Sequence, residues 1–148
     1  MARTTSLYKV LEVREQEKDQ AQLNRVQAVE QFEQIAQQLY EQLKAKETAE
    51  ERLANKMKQE FTIDKMIVQS RYIDNLSNKI ISLQHHVQQA RLKMEQAQDL
   101  LNEAHIEVKK IEKMIEIREA ELAEEEELAE AALMDEMSMR QYNKQFEK

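Results

Sequence analysis

The chain of 148 residues contains no glycine, no proline, no cysteine and no tryptophan. Glycine supplies positive φ angles and proline fixes turns and breaks helices. Without either, tight hairpins and βαβ crossovers lose their usual turn chemistry. The lack of cysteine excludes disulfides, cysteine-based zinc sites and a thiol nucleophile, and fits a reducing compartment. No glycine-rich phosphate cradle exists, and no Ser or Thr stands beside a His as a nucleophile with its base. Residues 1–9 lack an apolar signal core, and no stretch is apolar enough to span a bilayer, so a soluble, unexported protein is expected.

What the chain does have is charge, in 34% of residues, with only 5% aromatics. That composition is too polar for a thick globular core and suits helices that bury one narrow stripe. The net charge of −7 sits entirely at one end. Residues 119–148 hold ten Asp and Glu against three Lys and Arg, and the rest of the chain is balanced at nineteen of each. No block has the basic excess that a phosphate backbone requires, so nucleic acid is not an expected partner.

Apolar or small residues recur at alternating steps of three and four from Ile73 through Leu76, Ile80, Leu83, Val87 and Ala90. The series runs on through Met94, Ala97, Leu101, Ala104, Val108, Ile111 and Ile115; Arg118 interrupts it and Leu122 resumes it. A strict seven-residue repeat of this length predicts a left-handed coiled-coil seam. A weaker series predicts a second seam through Phe32, Ala36, Leu39, Leu43, Lys46, Glu50, Leu53 and Met57, continued less regularly upstream by Leu7, Leu11, Ala21, Ala28 and Val29. Lys46 and Glu50 mark either pairs across the seam or, as favoured here, looser packing.

The two registers do not join. Thr62 suits an N-cap, and Asp64 places a carboxylate in a first helical turn. A turn is therefore expected at about residues 58–61, between helix one over about 5–57 and helix two over about 63–146. The fold class expected is all-α, a single-domain antiparallel two-helix coiled-coil hairpin over residues 1–148. It would pair Leu43 with the region of Ile80 and the N-terminus with the region of Ile115, leaving residues 119–148 overhanging. Tyr8 and Leu11 would then lie beside the overhang, and the two chain ends would form one composite tip.

Candidate chemistry is sparse. His85 and His86 are adjacent and point about 100° apart on a helix, so they do not grip one metal ion, and His105 is distant. Asn75-Leu76-Ser77 matches a glycosylation sequon, but Leu76 belongs to the seam. Glu124 to Glu127 form a carboxylate run that is either a solvated face or a contact for a basic partner. Beyond the run, Leu128, Leu133, Met134, Met137, Met139 and Phe146 form either a frayed end or anchors for a partner. An enzyme is not expected, and no cofactor or metal is called for.

These residues resemble a known family, the flagellar FliJ family of type III export coiled-coil proteins, and its Bacillus-type members in particular. The opening Leu7-Tyr8-Lys9-Val10-Leu11-Glu12-Val13-Arg14, followed by Glu17-Lys18-Asp19-Gln20, looks like the family's start. Tyr72-Ile73-Asp74-Asn75-Leu76 with Ile80, then residues 106–114, then Met134-Asp135-Glu136 with Arg140, look like its later segments. The resemblance implies a non-enzymatic central stalk of the hexameric flagellar export ATPase ring. It implies contact with the cytoplasmic domain of the export gate protein FlhA, escort of flagellar export chaperones, and a cytoplasmic location at the inner face of the membrane. It places Tyr72 and Leu76, with Gln38, on a gate-binding face; Lys79 and Leu83 depart from the pattern there. It places Tyr8, Leu11, Arg14, Met134, Asp135, Glu136 and Arg140 in the tip that meets the ATPase ring. The rival expectation is a homodimeric coiled-coil scaffold or tether unrelated to export. A membrane-surface helix is disfavoured by the balanced charge of residues 1–118.

Overall fold

A computed structural model describes residues 2–59 and 62–146, with the side chains of Ala2 and Arg3 outside the description. Two helices account for the fold: α1, Ala2–Met57, and α2, Ile63–Phe146. They pack against each other as an antiparallel hairpin, and among the described residues there is no strand. The expected bounds of helix two are met, and α1 begins three residues before the expected start. Of the expected turn, Lys58 and Gln59 are described, while Glu60 and Phe61 lie outside the described residues. The Gln59 amide donates to the Lys56 carbonyl at 3.1 Å, closing the last turn of α1 tightly. The Met66 amide donates to the Thr62 carbonyl at 3.1 Å, which makes Thr62 the N-cap of α2. No described residue has a positive φ, so the helix ends form there without a left-handed residue.

The seam of α2 lies where its periodicity places it. Every position from Ile73 to Leu122 in the expected series is buried or half-buried, and Arg118 keeps its place in the row rather than leaving it. Met66 and Gln69 extend the row toward the turn. The seam of α1 differs from expectation. Phe32, Leu39, Lys46 and Leu53 are on it, but the alternating set is Ile35, Gln42 and Ala49. Leu43, Glu50 and Met57 are exposed, and Ala36 is a half-buried flank. The continuous heptad places a glutamine inward at 42, one residue before an apolar leucine. Upstream the seam runs through Leu7, Leu11, Arg14, Lys18, Ala21, Arg25 and Ala28, with Val29 half-buried beside it.

Contacts divide the chain into two units, Asp19–Asn102 and the combination of Met1–Lys18 with Glu103–Lys148. Within the first, the Arg91 guanidinium lies 6.0 Å from the centre of the Phe32 ring. That contact sets Phe32 level with Ala90. The same register sets Ile35 with Val87, Leu39 with Leu83, Gln42 with Ile80, Ala49 with Ile73, Ala28 with Met94 and Ala21 with Leu101. Small residues of one helix therefore meet large ones of the other, which fills the seam evenly. Lys46 does not reach across. It pairs with Glu50 on its own helix at 3.8 Å, in the less favourable Lys-before-Glu order.

Within the second unit, the Tyr8 hydroxyl donates to the Glu119 carboxylate. This contact sets Leu7 level with Ile115 and Leu11 with Ile111. Ile115 and Val108 are buried, Leu7 and Leu11 half-buried. Arg14 lies on the seam with its Nε buried and unpaired, while Nη1 reaches Glu17 at 3.0 Å. Its stem packs and its head turns outward. Leu122 is the last half-buried residue; every position from 123 to 146 is exposed.

Candidate functional site

Two surfaces carry the features that a partner would recognise. The first belongs to the turn-side unit. Tyr72 is 51% exposed and lines a groove of about 740 Å³ between the helices, with Ala45, Ala49 and Val68 among its apolar lining. The alanines leave the groove open because they present one methyl group each where neighbouring layers carry larger residues. Gln38 lines an adjoining groove of about 330 Å³ with Lys79, Leu83 and His86, and Glu41 borders both. The structure thus brings Gln38, Lys79 and Tyr72 to one face. Leu76 is different: at 4% exposure it is part of the seam beneath that face, and no partner reaches it without opening the hairpin. The groove residues Ala45, Ala49, Arg52 and Val68 carried no sequence signal, since alanine and arginine at helical spacing look like any solvated flank.

The second surface is the end of α2. Glu124, Glu125, Glu126 and Glu127 are exposed, followed by Leu128, Leu133, Met134, Met137 and Met139, each more than half exposed. Asp135 is exposed, and Arg140 pairs with Glu136 at 3.3 Å within the helix. The Tyr142 and Phe146 rings meet at 4.7 Å, one turn apart, and hold the last turn together. The sequence-derived tip joined these residues to Tyr8, Leu11 and Arg14. The structure sets Tyr8 at Glu119, fifteen residues before Met134, a separation of roughly 22 Å along the helix axis. Leu11 and Arg14 are further still and belong to the seam. Glu119, assigned to the overhang from sequence, is engaged by Tyr8, and the free segment begins after Leu122.

Electrostatics at Tyr8 follow from its partner. The hydrogen bond to Glu119, with slight desolvation and the carboxylate's own charge, raises the phenol above its ordinary 10.0. His85 contacts Gln89 at 3.4 Å, and His85 and His86 are both exposed. The Ser77 hydroxyl of the sequon donates to the Ile73 carbonyl at 3.0 Å. Among the described residues no cluster of three or more His, Asp or Glu has the geometry to hold a metal ion, and no helix is long and apolar enough to cross a membrane.

Residues 3–147 match the family model described as the Flagellar FliJ protein. The chain belongs to the flagellar FliJ family. The Flagellar FliJ protein of Bacillus subtilis (strain 168) is 37% identical over 142 residues, covering 96% of this chain and 97% of that protein. No solved structure matches. As a FliJ-family member, the chain is a component of the flagellar export apparatus, from a family of structural components and not of known enzymes. The sequence resemblance, drawn from short segments, is thereby shown to hold over nearly the whole length.

Proposed function

We propose that this FliJ-family chain is the central stalk of the hexameric flagellar export ATPase ring, joining it to the cytoplasmic domain of the export gate FlhA and escorting export chaperones. It would act on the cytoplasmic side of the membrane at the flagellar base. The observation that supports this most is the end of α2. Residues 123–146 continue as a helix beyond the last half-buried residue and leave Leu128, Met134, Met137, Met139 and Phe146 in solvent. Burying one such side chain fully is worth about 1.5–3 kcal/mol. A helix that leaves five of them uncovered is suited to insertion into a partner. The Tyr72 face supplies a second, separate contact for the gate.

The test is the activity and ring assembly of the cognate export ATPase with the full chain and with a chain ending at Leu122. Stimulation by the full chain and its loss on truncation support the stalk. Equal ATPase activity with the full chain, the truncated chain and no added chain sinks it. A stable dimer in light scattering, with no effect on the ATPase, favours the scaffold instead.

A further inference from the structure

Residues 1–118 are electrically balanced and the chain as a whole is acidic, yet cations gather around the Tyr72 groove. Lys44, Arg52 and Lys56 line it with Glu41. An adjoining pocket adds Lys65 with Asp64, and the two share Lys56, Val68 and Gln69. Among the described lining residues, four cations therefore stand against two carboxylates. Among the described residues, Lys44, Arg52 and Lys65 have no ion-pair partner within 4.0 Å. Arg52 of α1 and Lys65 of α2 flank the seam on the same side. Like charges placed so across a helical interface oppose the hairpin that carries them. Nothing in the seam requires them, because Ala49, Leu53, Gln69 and Ile73 complete it there.

We propose that this groove takes an acidic amphipathic helix of a partner protein. Its apolar side chains would rest on Ala45, Ala49 and Val68 against the Tyr72 ring, and its carboxylates would meet Lys44, Arg52 and Lys65. Charge complementarity selects this occupant: the groove repels a basic helix and offers an acidic one its missing counter-ions. A 740 Å³ groove floored by alanines has room for a few aliphatic anchors. The inference rests on the reading that the Tyr72 face binds a partner, and it adds the chemistry of that partner.

The probes are two labelled synthetic helical peptides with the same leucine face, one with a Glu-rich and one with a Lys-rich polar face, titrated with the full chain by fluorescence anisotropy. The acidic peptide binds, the basic one does not, and affinity falls as salt rises. The double variant R52E/K65E weakens acidic-peptide binding about tenfold or more. Its thermal midpoint tracks that of the parent chain, because both flanks still carry like charges. The single variant R52E turns repulsion across the flank into attraction, so it weakens binding while holding or raising the midpoint. Equal binding of both peptides overturns the proposal, as does unchanged acidic-peptide affinity in R52E/K65E. Binding of phosphatidylglycerol-rich vesicles in place of the acidic peptide overturns it too. The same variants titrated with the gate's cytoplasmic domain separate the two levels. If Tyr72→Ala abolishes gate binding and R52E/K65E leaves it intact, the gate reading stands and the acidic helix falls. If the peptides discriminate but the parent chain ignores the gate domain, the groove inference stands and the gate reading falls.

Discussion

The register of α1 turns on residues 42 and 43, and two substitutions there test it. Gln42 is half-buried and level with Ile80, which is 5% exposed; Leu43 is 44% exposed on the flank. Gln42→Leu replaces an amide on the seam with a side chain of similar size that Ile80 can pack. Fully burying a leucine is worth about 1.5–3 kcal/mol, so a half-buried site gains about 1 kcal/mol. Leu43→Ala removes atoms already partly in water and leaves no enclosed cavity. Its cost is about 0.5–1 kcal/mol, well below the ~2–5 kcal/mol of a core leucine. Urea unfolding followed by circular dichroism gives both numbers, and in a chain of this size the first corresponds to a rise of roughly 2–4 °C in Tm. A Leu43→Ala cost above about 2 kcal/mol together with a neutral or harmful Gln42→Leu would refute this register and restore Leu43 to the seam.

Three further outcomes follow from the same geometry. Leu76→Ala lowers stability by about 2–4 kcal/mol because it opens the seam, whereas Tyr72→Ala changes it by less than about 1 kcal/mol; urea midpoints of the two variants check this split, and similar values would contradict the burial assignment. Tyr8 titrates above the ordinary phenol value of 10.0 in an ultraviolet titration. Because its folded pKa is raised, the stability it contributes is fully present below about pH 10 and is lost as pH climbs through the folded value; Glu119→Gln moves the Tyr8 titration downward, and an unmoved titration removes Glu119 as the cause. Separating Lys46 from Glu50 with Glu50→Gln costs no more than about 0.5 kcal/mol, and a larger loss in the urea midpoint would give the pair a role across the seam.

The sequence showed α2 almost completely because its seam is apolar or small at nearly every step, so period and burial agree from Ile73 to Leu122. Helix α1 was legible only at half its seam. Phe32, Leu39 and Leu53 announce one set of positions, but Gln42 and Lys46 occupy the seam while Leu43 lies outside it. Following apolarity alone slides the alternating set by one residue, from Ile35, Gln42 and Ala49 to Ala36, Leu43 and Glu50. Arg14, Lys18 and Arg25 hide the upstream seam for the same reason: long basic side chains pack their stems and place their heads in water. Of the candidate faces, only the apolar residues at the end of α2, among them Met134, Met137 and Met139, stood out by their own chemistry; Tyr72, Asp135, Glu136 and Arg140 came from the family resemblance. Leu76 carries two readings that conflict: the heptad places it in the seam, where the structure buries it, and the resemblance places it on the gate-binding face.

The polar half-seam also decides between the hairpin and a parallel homodimer of straight helices. In a parallel pair every seam residue meets its own copy. Ala90, Ala97 and Ala104 would each face an alanine, leaving three thin layers that alternate with Met94 and Leu101, and Arg14, Lys18 and Arg25 would each face a like charge. In the hairpin register those alanines meet Phe32, Arg25 and Lys18, while Ala28, Ala21 and Ala49 meet Met94, Leu101 and Ile73. Each small residue receives a large one, and each cation receives a neighbour without charge. The change of register between Leu53 and Met66 points the same way, because one unbroken helix would carry its seam around to the wrong side at that point. A chain that satisfies its seam internally pairs nothing of its own with the longer helix over residues 123–146, which is why Leu128, Leu133, Met134, Met137 and Met139 stand exposed there.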